Sequence, residues 1–269
     1  PSGATIVNSG TATGFGITSA SFRPNVQPLW INGDMQVAQR ATSVASKTSS
    51  GYYTCDRVRV LINSIGTYTV IQEVLTSGNA FDDGFSMAWR IDTTTADASP
   101  ASADSLYFQY NTEGQDMQSF KKGTSNAEKF TLAFWVKSNK TGVGSIWLKD
   151  KDNSDRQCTQ SYTISSADTW EKKICVFGAD TTGVLGNDNS EAININFMLD
   201  TGSDFSSGTA NNGTWEAAAT TKVNADGTLD IADSDSNDWA ITGIQLEVGE
   251  YTSSTIPPFQ HESYGANLL

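Results

Sequence analysis

Residues 129–138 read KFTLAFWVKS, and the alternation of apolar and polar side chains in this stretch decides the fold. Successive side chains of a β-strand point to opposite faces, so one face of this stretch is apolar. That face consists of Phe130, Leu132, Phe134 and Val136. Trp135 falls on the opposite face, together with Thr131 and Lys137. The pattern predicts a strand that buries one side in a core.

The same period of two recurs along the chain and indicates about nine strands, most of them separated by Gly, Asn, Asp or Ser clusters. In three segments the apolar faces are Val58/Val60/Ile62, Phe85/Met87/Trp89/Ile91 and Ile195/Phe197/Leu199. The others are TYTVIQEV, LYFQYNTEG, GSIWLKD, KKICVFG and WAITGIQLEVG. A short helix is expected only in NGTWEAAATTK, residues 212–222. Strands without crossover helices pair antiparallel, so the sequence predicts an all-β, antiparallel two-sheet β-sandwich with Greek-key or jelly-roll connections.

Length and composition indicate one large β domain preceded by an arm. The chain has 269 residues, of which 38% are hydrophobic, enough for a substantial core. Residues 1–28 are rich in Gly, Ser and Thr and predict an N-terminal extended arm or linker that docks on the domain or on a neighbouring subunit. Residues 29–269 form the predicted sandwich domain. The first residues lack a basic and an apolar region, so no signal peptide is expected.

Charge and cysteine content exclude several classes of partner. The 17 Lys and Arg face 30 Asp and Glu, a net charge of −13, which would repel a nucleic-acid backbone. No stretch approaches the roughly 18 consecutive apolar residues of a membrane span, so we expect a soluble protein without membrane insertion. The three cysteines cannot all pair with one another, and their spacing fits no zinc site. Buried free thiols are therefore expected.

An ordered set of motifs extends the pattern over residues 30–269. These are INGDMQVAQR, YYTCDRV, TLAFWVKS, TWEKKICVF, ITGIQLEVG and PPFQHESYGANLL. Together they resemble the C-terminal carbohydrate-binding-like jelly-roll domains of bacteriophage tail fibres and related virion surface proteins. The resemblance implies a homotrimer that is made in the host cytoplasm and carried on the virion. INGD is expected to lead into the first strand, with Asn32–Gly33 supplying a turn because Gly accepts positive φ.

Three places are candidates for structural calcium, the one cofactor that the sequence suggests. The resemblance implies a calcium site at Asp34, because similar modules hold the ion between their first and last strands. DSDSNDW places Asp233, Asp235 and Asn237 at alternate positions, like the first half of a calcium loop. KDKDNSD offers Asp150, Asp152 and Asp155. Solvated turn carboxylates explain the last two stretches equally well.

The candidate carbohydrate-binding residues are Trp135 and Trp147, each accompanied by a lysine of the same strand face, Lys137 and Lys149. Sugars stack on exposed aromatic rings while polar side chains bind their hydroxyl groups. If the two tryptophans lie on adjacent strands, they form a platform for a glycan. The alternative is that they pack beneath the N-terminal arm or in a subunit interface.

Catalysis has little support in the sequence. The chain has one histidine, His261, so a Ser-His-Asp triad or a zinc site with histidine ligands could be built only around this residue. A glycosidase needs only two carboxylates, but nothing singles out Glu113, Glu171 or Glu216 for that role.

The sequence therefore predicts a non-catalytic virion surface protein, a tail fibre or similar appendage, that adheres to host or environmental glycans. Its expected partners are glycans and, through the arm, other virion proteins. Two alternatives remain open. One is a capsid decoration or cement protein with a purely structural role, and the other is a polysaccharide depolymerase.

Overall fold

The computed structural model describes residues 28–267, and strands dominate this range. The arm predicted for residues 1–28 lies almost wholly outside the described residues. The strands are β1 Ser43–Lys47, β2 Val58–Asn63, β3 Thr67–Val74, β4 Met87–Thr95, β5 Ser105–Glu113, β6 Phe130–Ser138, β7 Gly142–Asp150, β8 Arg156–Ile164, β9 Glu171–Phe177, β10 Glu191–Thr201 and β11 Asp238–Val248. Short helices are α1 Asn79–Asp82, α2 Ser203–Ser206 and α3 Tyr264–Asn267, with 3₁₀ turns at Gly114–Phe120, Thr220–Lys222 and Ile231–Asp233. No helix in the described range is long and apolar enough to cross a membrane.

The strands form two antiparallel sheets that pack face to face as a jelly-roll sandwich. The six-stranded sheet has the order β1-β3-β4-β11-β6-β9, and the five-stranded sheet has the order β2-β5-β10-β7-β8. The predicted fold class, an all-β antiparallel two-sheet sandwich, is confirmed. All nine predicted segments form strands; β1 and β8 are additional.

The helix predicted for residues 212–222 was wrong in all but its last turn. Gly213 has a φ of 77°, and its N–H donates to the carbonyl of Thr159 at 2.7 Å. Glu216 exchanges two backbone hydrogen bonds with Gln157. These contacts place residues 213–216 along the free edge of β8, where pairing with the strand satisfies backbone groups that a helix would have satisfied internally.

Aromatic rings from both sheets fill the centre of the sandwich. Trp89 contacts Phe108 with ring centroids 5.0 Å apart, and Phe108 contacts Phe197 at 5.6 Å. Trp239 lies 6.0 Å from Phe197, which links β11 of one sheet to β10 of the other. The apolar face of residues 129–138 joins this core, as the alternation predicts. Cys55, Cys158 and Cys175 are buried and free, which confirms the expected thiols.

The INGD motif does not begin a strand. Residues 31–34 form a buried turn, and β1 starts only at Ser43. Asn32 takes the positive φ of 59°, and its side chain bonds the N–H and the carbonyl of Val37. Gly33 is needed for a different reason than the predicted one. Its carbonyl accepts the N–H of Ile244 at 2.9 Å, and a Cβ at Gly33 would lie 2.1 Å from the carbonyl oxygen of Ile244.

Substitution of Gly33 by alanine should therefore be costly. The new methyl group would meet main chain of β11, which cannot rotate away, so we expect Gly33→Ala to lower the free energy of unfolding by about 2–3 kcal/mol. Urea denaturation measures the change. Gly265→Ala is the matched control, because a Cβ at Gly265 would meet nothing within 4 Å. Equal stability of the two variants would contradict the close approach of the turn to β11.

A buried carboxyl group near the end of β10 makes stability depend on pH. Asp200 is 3% exposed, and its Oδ2 accepts the N–H of Ala232 at 2.9 Å. Burial raises the pKa of Asp200 to about 7, and the neighbouring charge of Asp230 adds to the rise. An aspartate in the unfolded chain has a pKa near 3.8. Between these values the folded protein holds a proton that the unfolded chain has released, so stability falls as pH rises.

Asp200→Asn should remove this pH dependence, because an amide keeps the hydrogen bond from Ala232 without a charge. Relative to the parent, the variant should gain up to about 4 kcal/mol of unfolding free energy between pH 4 and pH 8. Urea denaturation of both proteins across this range checks the gain. A stability difference that does not change with pH would show that Asp200 ionises alike in both states.

Candidate functional site

Trp135 and Trp147 both face away from the core, but they lie on different sheets. Trp135 is in β6 of the six-stranded sheet, whereas Trp147 is in β7 of the five-stranded sheet. The two rings are therefore on opposite outer faces of the sandwich, and the predicted shared platform was wrong. The chain crosses from one sheet to the other between residues 138 and 142, so β6 and β7 are not neighbours although they are consecutive in the chain.

Trp135 and Lys137 make local contacts on the six-stranded sheet. Trp135 Nε1 donates to Asp83 at 3.1 Å, and Lys172 lies 5.8 Å from the ring while pairing with the same carboxylate at 3.3 Å. Lys137 pairs with a glutamate at 3.5 Å and lies over the ring of Trp170 at 5.3 Å. Lys137 also lines an open depression of about 240 Å³ with Ser77, Gly78, Asn79, Asp168, Thr169 and Trp170. Trp170 is only 5% exposed, so its ring offers little surface for stacking.

Trp147 is covered rather than free. Its side chain is 9% exposed and packs with Met198 and Val223, and Tyr107 and Phe205 complete the cluster. Val223 and Phe205 come from the segment between β10 and β11, which folds back over the outer face of the five-stranded sheet, whereas Met198 and Tyr107 belong to neighbouring strands. Lys149 lies over the Trp147 ring at 5.4 Å and pairs with Asp155 at 3.1 Å. These contacts favour the packing role for Trp147.

Amide side chains form an ordered array on the same outer face. Gln109 Nε2 donates to Asn196 Oδ1 at 2.8 Å, and Asn196 Nδ2 donates to the carbonyl of Trp147 at 3.0 Å. One step along the strands, Asn194 Nδ2 donates to Asn111 Oδ1 at 3.0 Å. The array spans β5, β10 and β7, and each amide is held by a neighbour on an adjacent strand or on its own. Gln109, Asn194 and Asn196 are buried, whereas Asn111 is partly exposed. The array therefore holds Asn111 in a fixed orientation, so that it can bind a polar ligand with little loss of side-chain entropy.

An open cleft of about 320 Å³ adjoins this array at the end of β5 and the start of β10. We call it the Tyr52 cleft; it is lined by Arg40, Tyr52, Arg57, Asn111, Thr112, Glu113, Asn189 and Glu191. Tyr52 is 40% exposed; among the Phe, Tyr and Trp side chains of residues 28–267, only Phe81 and Tyr264 are as exposed. Arg40 lies 5.6 Å from its ring and bonds Asp56 at 3.1 Å. Glu113 and Glu191 are directly opposite each other in the strand register.

The Tyr52 cleft combines groups that recognise sugars. An exposed ring can stack on the C–H face of a pyranose, and amide, carboxylate and guanidinium groups can bind hydroxyls. None of the carbohydrate-binding residues predicted from the sequence lies in it. The signal was nevertheless present: Gln109, Asn111 and Glu113 occupy the polar phase of LYFQYNTEG, opposite the apolar phase that predicted the strand.

The calcium candidates of DSDSNDW are occupied by protein partners. Asp233 pairs with Lys140, and its other oxygen accepts Asn237 Nδ2 at 2.6 Å. Asp235 is exposed. Over residues 28–267, no group of three or more His, Cys, Asp or Glu side chains is arranged to hold a metal ion. The structure therefore does not gather Asp233, Asp235 and Asn237 into a ligand set.

Asp34, the calcium candidate implied by the resemblance, is the buried last residue of the turn that contacts β11. Its Oδ2 lies 3.5 Å from His261 Nδ1. Burial raises the pKa of Asp34, and the hydrogen bond from His261 opposes that rise. A histidine of the C-terminal segment is thus the side-chain partner of this carboxylate.

Asp150 of KDKDNSD lies in a buried ion network whose cation is a lysine. The ammonium of Lys122 pairs with Asp150 and, at 2.9 Å, with Asp180, and it donates to the carbonyl of Gly183 at 3.0 Å. The side chains of Lys122 and Asp150 are 4% and 0% exposed. Burial alone would raise the pKa of Asp180, but hydrogen bonds from Arg156 and Lys122 hold it at about 2.

No protein-family model matches the sequence, and no curated protein matches it. Among solved structures, the enzymatically active domain of tailspike protein 4 from bacteriophage CBA120 is 14% identical over 82% of this chain, with a TM-score of 0.39. The chain spans only 21% of that tailspike chain.

Two further solved structures are similar over most of their length. A protein described as sugar-binding from Bacteroides thetaiotaomicron is 12% identical, with 82% of this chain and 100% of that chain covered and a TM-score of 0.41. The C-terminal family 22 carbohydrate binding module of Xyn10B from Clostridium thermocellum is 8% identical, with coverages of 84% and 95% and a TM-score of 0.38. Likenesses at this level concern general architecture, and the function has to be inferred from the residues of this chain.

Removal of the buried ammonium should destabilise the protein strongly. Lys122→Met leaves Asp150 buried without its partner, so we expect a loss of about 3–5 kcal/mol of unfolding free energy. The adjacent Lys121 provides a matched control, because it pairs with Glu128 at 2.7 Å but is 52% exposed. Lys121→Met should change stability by less than about 1 kcal/mol. Similar losses for the two variants in urea denaturation would contradict the role of burial.

Proposed function

We propose that the protein is a non-catalytic virion surface protein, on a tail fibre or similar appendage, that binds glycans in the Tyr52 cleft. The observation that carries this proposal is that the exposed ring of Tyr52 and the side chain of Asn111, which a buried array of amides holds in place, line the same cleft. Asn111 belongs to both the cleft and the array, since it lines the cleft and accepts the hydrogen bond of Asn194. A ligand in the cleft would find one apolar surface and several oriented polar groups.

The exposure of the cleft distinguishes it from the rest of the same face. Around Trp147 the outer face of the five-stranded sheet is covered by residues that follow β10, whereas Tyr52, Arg57 and Glu191 remain exposed. The volume of about 320 Å³ is at the lower end of the range for small-molecule sites, which runs from about 300 to 1,000 Å³. It suits one or two sugar rings of a longer chain.

The virion assignment is supported by the ordered motifs of residues 30–269, which resemble the C-terminal domains of phage tail fibres. In such an arrangement the protein would be a homotrimer attached to other virion proteins through its N-terminal arm. Three copies of a weak site would act together, so that avidity rather than single-site affinity holds the particle on a polysaccharide. Light scattering should then give three times the chain mass of 28.8 kDa.

A second candidate function, polysaccharide depolymerisation, is favoured by the position of Glu113 and Glu191. Directly opposite residues of antiparallel strands have Cβ atoms about 5 Å apart, and retaining glycosidases place their carboxyl groups about 5–5.5 Å apart. The surroundings favour binding instead. A general acid needs an apolar environment that keeps it protonated, whereas Glu191 is exposed and Glu113 accepts a hydrogen bond from Gln115 at 2.8 Å.

A glycan array with the parent protein and with Tyr52→Ala tests the binding proposal. The variant should lose at least about tenfold in affinity, the effect of one stacking ring, with an unchanged free energy of unfolding. Tyr264→Ala is the matched control, since Tyr264 is 57% exposed and does not line the cleft. Both arms are run with calcium and with EDTA. Absence of binding by a folded, oligomeric parent would reject the proposal and favour a capsid decoration or cement protein.

The depolymerase candidate is tested by release of reducing ends from bound polysaccharides. Release by the parent that both Glu113→Gln and Glu191→Gln abolish would establish catalysis. Release that persists in both variants would come from a contaminating enzyme, and the absence of release from a polysaccharide that the parent binds would support adhesion without chemistry.

A further inference from the structure

Two arginines beside the Tyr52 cleft differ from the other cations of the protein. Of the lysines and arginines between residues 28 and 267, all but three form an ion pair with a carboxylate. The three are Lys47, Arg57 and Arg59. Lys47 lies over the ring of Tyr53 at 4.9 Å. Carboxylates are abundant in a chain with a net charge of −13. It is therefore notable that the guanidinium groups of Arg57 and Arg59 form no ion pair with a carboxylate of the described residues.

Arg57 lines the Tyr52 cleft, and Arg59 follows two residues later in β2. Arg59 points to the outer face of the five-stranded sheet, because its strand neighbours Val58 and Val60 are in the core. Arg57 precedes β2 and has a left-handed φ of 69°. Arg59 is opposite Gln109 in the register. Arg57 lines the cleft together with Asn111. β2 is an edge strand, which leaves the arginines at the margin of the face that carries the amide array.

The two carboxylates that line the cleft lie farther along the strands. Glu113 is two residues beyond Asn111 along β5, a separation of about 7 Å, and Glu191 is opposite Glu113. Arg40 is already bound to Asp56. An anionic group is therefore attracted at the Arg57 end and repelled at the Glu113 end. Such a gradient would fix the direction in which an acidic chain lies in the cleft.

We infer that the glycan bound in the Tyr52 cleft is acidic, and that Arg57 and Arg59 bind its anionic groups. This inference rests on the proposed glycan binding and names the class of glycan. A planar guanidinium forms two parallel hydrogen bonds to a carboxylate or a similar oxyanion, which neutral sugars do not offer. The anionic groups that polysaccharides carry are the carboxylates of sugar acids and sulfate esters. Hydroxyls of the same sugar would bind Asn111 and Glu113.

The test compares polygalacturonate oligomers with the same oligomers after chemical reduction of their carboxyl groups. Affinities are measured by calorimetry for the parent, Arg57→Gln and Arg59→Gln. The parent should bind the acidic oligomers at least about tenfold more tightly, and each variant should lose most of that preference. Lys47→Gln is the matched control: it removes one positive charge outside the cleft and should retain the preference. Unfolding curves of all four proteins exclude loss of structure as the cause.

Dextran sulfate and dextran form a second pair of probes. Arginine-dependent preference for polygalacturonate over dextran sulfate assigns the ligand to carboxylated glycans, and the reverse assigns it to sulfated glycans; either result supports the inference. Equal binding of acidic and neutral oligomers, or equal losses in the arginine and Lys47 variants, overturns it while glycan binding itself stands. If the parent binds none of these probes and no glycan on the array, both the inference and the proposed function fail.

Discussion

The packing of aromatic rings between the two sheets constrains every other part of the structure. Trp89 and Trp239 of the six-stranded sheet contact Phe108 and Phe197 of the five-stranded sheet. These contacts fix which alternate side chains of the four strands point into the core, which we call the inward phase. A shift by one residue in any of them would place a polar side chain in the core and a large ring in solvent. Because the inward phase is fixed, the outward phase is fixed too. The amide array and the side chains of β5 that line the Tyr52 cleft are consequences of that phase.

The period of the sequence determines which side of a strand is buried, and it did so correctly for β6 and for the other strands predicted from it, except at Phe85. This residue precedes β4 and packs in a separate cluster from Trp89 and Ile91. The period does not determine which sheet a strand joins. β6 pairs with β11 and β9, more than a hundred and about forty residues away, whereas β7, its neighbour in the chain, joins the other sheet. Pairing over such distances depends on the complementarity of whole faces. For this reason Trp135 and Trp147 could be assigned an outward direction but not a common surface.

The candidate site was predictable only in part for a related reason. The polar phase of β5 can be read from the sequence, but the cleft also needs Arg40, Tyr52 and Asn189, which lie outside the strands. Loop positions follow from tertiary contacts rather than from local pattern. The same holds for the acidic stretches. Asp150 and Asp233 looked available to calcium because their lysine partners, Lys122 and Lys140, lie 28 and 93 positions away in the chain.

The buried ammonium of Lys122 gives the residues around it a property that a bound metal ion would not give them. Its two carboxylates, a backbone carbonyl and the face of Trp215 at 4.4 Å surround a single positive charge, as oxygen ligands surround a metal. An ion taken from the medium occupies its site in proportion to its concentration, and a chelator can remove it. The ammonium of Lys122 is covalently part of the chain, so neither dilution nor a chelator removes it. The structure around Lys122 therefore does not depend on the concentration of metal ions in the surrounding solution.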